Sequence, residues 1–223
     1  MYTEKLKFAV LLAGCGIGDG SQIEEVIATY VALDKIGVNY TPVALDAEQA
    51  RVINHITEES ETIERNILVE SARVGRGRIL SLSDISSDSF DALIIPGGIG
   101  LLANYTNLFN QENSVAVNEH VQSFVLGFLQ SSKPIGLICS AIKFISIMFK
   151  GDCKSATLYG STQQVGTNGV ISYHNCSVTD IVVDEANNLV STPAFLESQN
   201  LYEISLGIEK LVGEVSRRAS SER

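Results

Sequence analysis

Short, almost wholly apolar runs alternate along this chain with longer amphipathic segments. The clearest runs are Lys7–Ala13, Asp91–Ile95 and Ile135–Ile138. Runs without a polar face are typical of strands buried on both sides of a parallel sheet, with helices as connections. The pattern therefore predicts an α/β fold with a doubly wound and mostly parallel sheet. Ligands are expected beyond the carboxyl ends of its strands.

Local signals place the remaining elements. Ser21-Gln22-Ile23-Glu24 has the spacing of a capping box, and Gly37 is a natural stop for the helix that would follow. The other predicted elements are a strand over Val38–Ala44, helices over Thr62–Val74, Ala141–Lys150 and Phe195–Val212, a helix that contains Val117 to Phe128, and a C-terminal hairpin built from Val178–Val183 and Leu189–Thr192.

Composition bounds the class of protein. With 223 residues, 45% of them apolar, the chain can form one domain over residues 1–223. No apolar run approaches the roughly 20 residues of a membrane-spanning helix. The net charge of −10 disfavours nucleic acid as a partner. Four cysteines without zinc-site spacing indicate free thiols in a reducing, cytoplasmic location, with neither metal nor cofactor.

The segment Leu12-Ala13-Gly14-Cys15 imitates a lipoprotein cleavage box. A buried first strand is the preferred interpretation, because the apolar stretch is short and Glu4 interrupts its basic flank. The following glycines, Gly14, Gly16, Gly18 and Gly20, also invite a dinucleotide-binding interpretation. That match is poor, since Asp19 stands where the third glycine of the fingerprint belongs.

Cys139 lies directly after one predicted strand and directly before a helix. That is the position of a nucleophile elbow, where the helix N-terminus and nearby amides are expected to lower the thiol pKa. A buried cysteine that packs as a small apolar side chain fits the local pattern equally well. Pro96-Gly97-Gly98 ends the neighbouring strand, and the amides of Gly98 and Ser140 could bind an oxyanion. The alternative there is a plain glycine-rich turn.

Glu25 lies at the start of the first predicted helix, at the same sheet edge as Cys139. It could act as an acid or base beside the thiol, or merely stabilise the helix dipole. Of the three histidines, His55 and His174 are the candidates for proton transfer, whereas His120 is assigned to a solvent-exposed helix face.

Taken together, several motifs resemble the ElbB-like branch of the PfpI-like, class I glutamine amidotransferase-like superfamily. They are Ala13-Gly14-Cys15-Gly16, Asp19-Gly20-Ser21, Glu25, Asn54-His55, Glu64-Arg65-Asn66, Pro96-Gly97-Gly98, Gly136-Leu137-Ile138-Cys139, Asp180-Ile181-Val182-Val183-Asp184, Thr192-Pro193-Ala194 and Gly207-Ile208-Glu209-Lys210-Leu211-Val212.

The resemblance implies a cofactor-independent glyoxalase, a lyase that converts glyoxal or related 2-oxoaldehydes to hydroxy acids without glutathione. Cys139 would be the nucleophile and Glu25 its partner, with His174 as a further candidate. Gly97, Gly98, Ser140, Asn54 and His55 would contact the substrate or its oxyanion. The resemblance also implies a flavodoxin-like sheet, a small-molecule aldehyde as substrate, a homodimer, and a link to isoprenoid biosynthesis.

One feature departs from that superfamily. Its amidotransferases and proteases carry a histidine beside the elbow cysteine or a modest distance beyond it. Here Ser140 follows Cys139, and the next histidine is His174. Glutamine hydrolysis and peptide cleavage are therefore disfavoured more than aldehyde chemistry. A redox-sensing regulatory protein and a degenerate amidotransferase-like subunit remain the alternatives.

Overall fold

A computed structural model describes residues 5–110, 115–152, 156–160 and 171–221. The strands are β1 (Lys7–Leu11), β2 (Asn39–Ala44), β3 (Val52–Ile53), β4 (Ser60–Glu61), β5 (Leu80–Ser81), β6 (Ala92–Ile95), β7 (Ile135–Ile138), β8 (Ala156–Tyr159), β9 (Ile171–His174), β10 (Val182–Asp184) and β11 (Leu189–Thr192). The helices are α1 (Ile23–Ile36), α2 (Ile67–Val74), α3 (Ile99–Tyr105), α4 (Glu119–Gln130), α5 (Ala141–Asp152) and α6 (Leu201–Ser221).

Seven of these strands form the central sheet, in the order β10-β11-β7-β6-β1-β2-β5. Every neighbouring pair is parallel except β10 and β11, which form the predicted C-terminal hairpin. The predicted mostly parallel α/β fold is confirmed. Because β1 lies between β2 and β6, the chain leaves β1 towards one edge of the sheet and later returns to its other side. A crevice at the carboxyl ends of the strands is expected at such a reversal.

Each face of the sheet buries its own apolar layer. Phe8, Val10 and Leu12 belong to the layer that includes α1 and α6. Ala9 and Leu11 belong to the opposite layer, which includes residues of α2 to α5. Burial on both faces explains why β1 and its neighbours have no polar side of their own, and each large apolar side chain so buried contributes about 1.5–3 kcal/mol.

The helix starts and ends differ from the predictions in several places. The predicted capping box does not form, because α1 has Gln22 as its N-cap and this side chain makes no capping hydrogen bond. The Ser21 hydroxyl instead accepts from the Ala13 amide at 2.9 Å. The helix predicted from Thr62 begins only at Ile67, where the Asn66 side chain caps it. Residues 60–61 pair instead with 52–53 in a small antiparallel ribbon.

The C-terminal helix also differs from its prediction. A 3-10 turn at Ala194–Leu196 separates β11 from α6, and the helix continues to Ser221. Within α6, Gly207 lies against neighbouring backbone, because a Cβ there would stand 2.1 Å from the Val178 carbonyl oxygen. Gly213, in the same helix, has nothing within 4 Å of the equivalent point.

We therefore expect opposite effects from one substitution at two positions of α6. Gly207→Ala forces the helix away from Val178 and should lower the free energy of unfolding by about 1–3 kcal/mol. Gly213→Ala should raise it by about 0.5–1 kcal/mol, because alanine restricts the unfolded chain and favours the helix. Urea unfolding of both variants measures the difference. Equal urea midpoints for Gly207→Ala and Gly213→Ala would contradict the close packing of α6 at Gly207.

Candidate active site

Cys139 occupies a strained elbow between β7 and α5. Its φ angle is +55°, a left-handed conformation that costs a side-chain-bearing residue about 1–2 kcal/mol. The Cys139 amide donates to the Thr192 carbonyl at 3.1 Å, which fixes the elbow to the end of β11. The thiol is free and only partly buried. The predicted nucleophile elbow is therefore present.

Glu25 is fully buried beside this thiol, although it lies in the first turn of α1. Its Oε2 atom accepts a hydrogen bond of 2.8 Å from the Gly97 amide. Its Oε1 atom is buried and has no hydrogen-bond partner of ordinary geometry within the described ranges. The Cys139 thiol also interacts with this carboxyl group. A buried carboxyl with one unsatisfied oxygen is costly unless it is protonated or binds a ligand.

Gly97 allows the acid and the thiol to approach each other. A Cβ on Gly97 would lie 2.8 Å from the Cys139 Cβ and 2.8 Å from Glu25 Oε2. Any side chain at this position would therefore push the two groups apart. Gly97 contributes its amide and its lack of a side chain, both of which the geometry of the site requires.

Burial raises the pKa of both functional groups. It raises the pKa of Glu25 to about 7, against opposing contributions from the Gly97 amide, the Cys139 thiol and the Phe195 amide. Burial, followed by the nearby Glu25, raises the pKa of the Cys139 thiol well above its ordinary value. The prediction that the pKa of Cys139 lies below its ordinary value was wrong. The Ser140 amide does lower it, but loss of hydration outweighs that contribution.

The two groups therefore titrate as a pair and retain at least one proton at neutral pH. A thiolate beside an ionised carboxylate would place two negative charges in a site with little water. Moving the thiol proton onto Glu25 removes that conflict. The arrangement can thus generate a thiolate at the moment of reaction, with Glu25 as the proton acceptor.

The 3-10 turn at Ala194–Leu196 lies against both groups, and sequence patterns did not reveal this role. The Phe195 amide interacts with Glu25, and the Leu196 amide interacts with Cys139, in each case lowering the pKa. Ala194 itself has a positive φ of +50°. The local signal was Thr192-Pro193-Ala194, but only the pairing of β11 with β7 brings this segment to the elbow.

The residues predicted to hold an oxyanion lie at the same edge. The Ser140 hydroxyl donates to the Gly98 carbonyl at 2.9 Å and so joins the elbow to the loop after β6. The Ser140 amide contacts the Cys139 sulfur. Gly98 has a φ of +113°, and a Cβ there would lie 2.3 Å from the Gly20 carbonyl oxygen. Gly98 and Ser140 are placed beside Cys139, and their oxyanion role stays a prediction.

The glycine-rich segment after β1 packs against backbone. Ile99 donates to the Ile17 carbonyl at 2.8 Å, and Gln22 donates to the Gly97 carbonyl at 2.9 Å. At Gly100, a Cβ would lie 2.1 Å from the Gly20 nitrogen. These glycines therefore allow two loops to contact each other closely, which explains them without a dinucleotide. The same contacts fix the start of α1 and so the position of Glu25.

His55 and Asn54 have structural partners away from the thiol. His55 Nε2 accepts from the Gly18 amide at 3.2 Å, and Nδ1 lies 3.1 Å from the Ile53 carbonyl oxygen. The Asn54 side-chain oxygen accepts from the Ile56 amide at 3.0 Å. Among the described residues, no hydrogen bond or ion pair joins either side chain to Cys139. Their predicted contact with substrate lacks support from this geometry.

The other histidines are exposed. His174 lies at the end of β9, with Nε2 3.5 Å from the Ser172 hydroxyl, and the described contacts do not connect it to Glu25 or Cys139. His120 is exposed near the start of α4, as predicted. A Cys-His pair at the elbow is therefore absent from the described part of the chain, and the predicted catalytic role of His174 is not supported.

A cavity of about 570 Å³ lies at the opposite end of the sheet, where β7 and β11 begin. Arg218 borders it, but this guanidinium already bonds Glu185 and Glu214 at 2.7 Å each. Because its charge is matched, the cavity gives no reason to expect an anion. The chemistry-bearing groups lie instead at the elbow.

The described ranges lack a metal-binding cluster and a membrane-spanning helix. No group of three His, Cys, Asp or Glu side chains there could hold a metal ion. No described helix combines the length and apolar character needed to cross a membrane. Cys15, Cys139 and Cys176 are free thiols, while Cys153, like Glu4, lies outside the described residues.

Comparison with known proteins gives a consistent set of relatives. No family model matches the chain. The rat "ES1 protein homolog, mitochondrial" is 34% identical over 224 residues, which cover 95% of this chain and 83% of the rat protein. The human "Glutamine amidotransferase-like class 1 domain-containing protein 3, mitochondrial" is 33% identical and covers 94% of this chain, with 82% of its own length matched.

A solved structure agrees with this result. The "isoprenoid biosynthesis protein with amidotransferase-like domain" from Ehrlichia chaffeensis has a TM-score of 0.87 and 32% identity. The match covers 95% of this chain and 99% of the Ehrlichia chain.

The predicted cytoplasmic location is contradicted by these relatives. The rat and human proteins, and a related zebrafish protein, are all named as mitochondrial. The prediction was based on free cysteines, which indicate a reducing compartment but do not distinguish the cytoplasm from the interior of an organelle.

The raised pKa of Glu25 predicts a specific dependence of stability on pH. Between the ordinary value of 4.5 and about 7, the folded protein holds a proton that the unfolded chain has lost. Folding is therefore favoured at low pH, and this contribution disappears as the pH rises through 7. We expect the difference in unfolding free energy between wild type and Glu25→Gln to fall by up to about 3 kcal/mol from pH 5 to pH 8.

Glu119→Gln is the matched control, since Glu119 is an exposed glutamate in the first turn of another helix, α4. Its difference from wild type should stay nearly constant over the same range. Denaturant unfolding at several pH values measures both variants. If the free energy of unfolding changed with pH in parallel for Glu25→Gln and wild type, a protonated Glu25 would be contradicted.

Proposed function

The chain belongs to the class 1 glutamine amidotransferase-like superfamily, and on this premise we propose that it is a glutathione-independent glyoxalase-type enzyme acting through Cys139. Superfamily membership confirms what the sequence motifs indicated. The finer assignment to the ElbB-like branch is part of the proposal. The observation that carries it is the buried Glu25 carboxyl, with one unsatisfied oxygen, beside the elbow thiol.

The first step uses the proton shared by this pair. As the Cys139 sulfur attacks the aldehyde carbon of a 2-oxoaldehyde, its proton passes to Glu25, and a carbon–sulfur bond forms. The carbonyl oxygen becomes an alkoxide, which the Ser140 and Gly98 amides are proposed to bind. Protonation of the alkoxide gives a hemithioacetal. No external oxidant or reductant is required.

The second step moves hydrogen between the two carbons of the substrate. A base removes the proton from the hemithioacetal carbon, and a proton returns to the adjacent carbon, so that a hydroxy thioester forms. Glu25 suits both transfers, because a pKa of about 7 lets the same carboxyl accept and donate protons near neutral pH. Water then cleaves the carbon–sulfur bond, which releases the hydroxy acid and restores the thiol.

The site supports glutamine hydrolysis less well. An amidotransferase needs a group that protonates the departing ammonia, a task usually assigned to a histidine beside the cysteine. The described structure brings Glu25 to Cys139, whereas His55 has other partners and His174 is exposed. An aldehyde substrate needs no leaving group in the step that forms the carbon–sulfur bond, so a Cys-Glu pair is sufficient.

The redox-sensing alternative is favoured by the partial exposure of the thiol, but its raised pKa opposes it. Peroxide reacts with thiolates, and burial reduces the thiolate fraction of Cys139 at neutral pH. The predicted homodimer and the predicted lack of nucleic-acid and membrane partners stay predictions.

Purified protein should convert glyoxal to its hydroxy acid without added glutathione. Cys139→Ala should abolish turnover, and Glu25→Gln should lower kcat by about 10²-fold or more, because proton transfer by a positioned group contributes about that much. Product is measured by chromatography, and glyoxal loss is followed in parallel. Cys176→Ala is the control, since Cys176 is another partly buried free thiol.

Wild-type protein that does not turn over glyoxal or methylglyoxal would contradict the proposal. Equal activity of Cys139→Ala and wild type would remove the elbow thiol from the chemistry. If Cys139 instead consumed peroxide and the oxidised form altered binding of another protein, without aldehyde turnover, the redox-sensing alternative would replace the enzyme.

A further inference from the structure

Tyr159 is a buried side chain that the proposed chemistry does not use. It ends β8, and only 3% of its surface is exposed. Its amide donates to the Ser191 hydroxyl at 2.9 Å, which fixes it beside β11. Its own hydroxyl donates to Glu197 Oε1. A buried tyrosine thus binds a carboxylate that is otherwise exposed.

Glu197 directly follows the turn that borders the active site. Its amide donates to the Ala194 carbonyl at 3.1 Å, and the Leu196 amide donates to the Pro193 carbonyl at 3.1 Å. Ala194 holds the turn in a left-handed conformation that its own side chain disfavours. Such a conformation persists only where surrounding contacts hold it. The Tyr159–Glu197 hydrogen bond is one contact that can do so.

We propose that Tyr159 is a positioning residue for the Cys139 site, which by binding Glu197 holds the turn at Ala194–Leu196 against the elbow. This inference rests on the proposed function in one respect, that Cys139 is the reactive group. It concerns how easily that thiol ionises, and it does not depend on which substrate the thiol attacks. Tyr159 itself is not assigned any contact with substrate.

The effect on the thiol follows from the amides of the turn. The Leu196 amide lowers the pKa of Cys139, and the Phe195 amide lowers that of Glu25. If the turn moves away, both contributions weaken, and Cys139 becomes harder to ionise. The titratable group that acts on Cys139 is Glu25 on α1. Those that act on Tyr159 are Glu197 after the turn, Cys176 after β9, and Cys139 itself.

Tyr159→Phe deletes the hydroxyl and preserves the ring that fills the core. We expect iodoacetamide to alkylate Cys139 roughly three- to tenfold more slowly at pH 8 in this variant. The pH profile of alkylation should move upward by about half a unit to one unit. Mass spectrometry of the peptide that contains Cys139 gives the rate for this thiol alone, and a thermal melt of each protein reports its stability.

Tyr173→Phe is the matched control, because it deletes a hydroxyl from the adjacent β9 whose partner is Ser146 at 3.2 Å. Its alkylation profile should match wild type. Glu197→Gln keeps an acceptor for the Tyr159 hydroxyl. In this variant the pH profile of Cys139 alkylation should stay unchanged or move to lower pH. Glu197→Ala deletes the same contact from the solvent side and should reproduce the upward shift, even if Tyr159→Phe folds poorly.

A wild-type alkylation profile in Glu197→Ala, or an equal shift in Tyr159→Phe and Tyr173→Phe, would overturn the positioning role. Alkylation needs no aldehyde substrate, so this outcome is independent of glyoxal turnover. A protein without glyoxalase activity would still report the Tyr159 effect through its alkylation profile. Conversely, normal alkylation in all variants together with glyoxal turnover would retain the enzyme and remove the positioning residue.

Discussion

The site depends on a carboxyl group that is removed from water and held against a thiol. Glu25 is fully buried, and the free energy of an ionised carboxylate in such a place is high unless donors surround it. The Gly97 amide satisfies one oxygen, and the other has no ordinary partner in the described ranges. A proton shared with Cys139 resolves this imbalance. The same shortage of hydrogen-bond donors that makes the ionised carboxylate costly therefore suits Glu25 to the proposed role of a base for the thiol.

The loops around this pair are built to allow close approach. Gly97 lets Cys139 and Glu25 meet, while Gly20, Gly98 and Gly100 let the loops after β1 and β6 contact each other through backbone alone. These contacts fix the first turn of α1, and with it the direction of Glu25. The parallel sheet supplies the rest, because β6, β7 and β11 are neighbours whose carboxyl ends meet at one edge. The glycines that resemble a dinucleotide motif are thus accounted for by packing.

Much of this arrangement could be predicted from sequence, and the failures have identifiable physical causes. The apolar runs predicted β1, β6 and β7 because strands buried on both faces leave an unmistakable pattern. Cys139 was predicted at an elbow because a strand and a helix directly abut there. The predicted direction of its pKa shift was wrong, because the local sequence indicates a helix N-terminus but not the burial that distant loops produce. The role of Phe195 and Leu196 could not be predicted either, because their amides meet the site only through the pairing of β11 with β7.

A raised thiol pKa is compatible with nucleophilic chemistry when the proton acceptor is adjacent. A preformed thiolate needs strong solvation or strong pairing, and among the described residues the amides that favour the thiolate of Cys139 are those of Ser140 and Leu196. A neutral thiol beside Glu25 instead remains uncharged until a carbonyl carbon arrives, when proton transfer and bond formation can be coupled. Such a site favours electrophiles that bind within reach of both groups over diffusing oxidants that require a standing thiolate. The proposed aldehyde rearrangement needs no histidine at the elbow, because one carboxyl with a pKa near neutrality can move every proton that it requires.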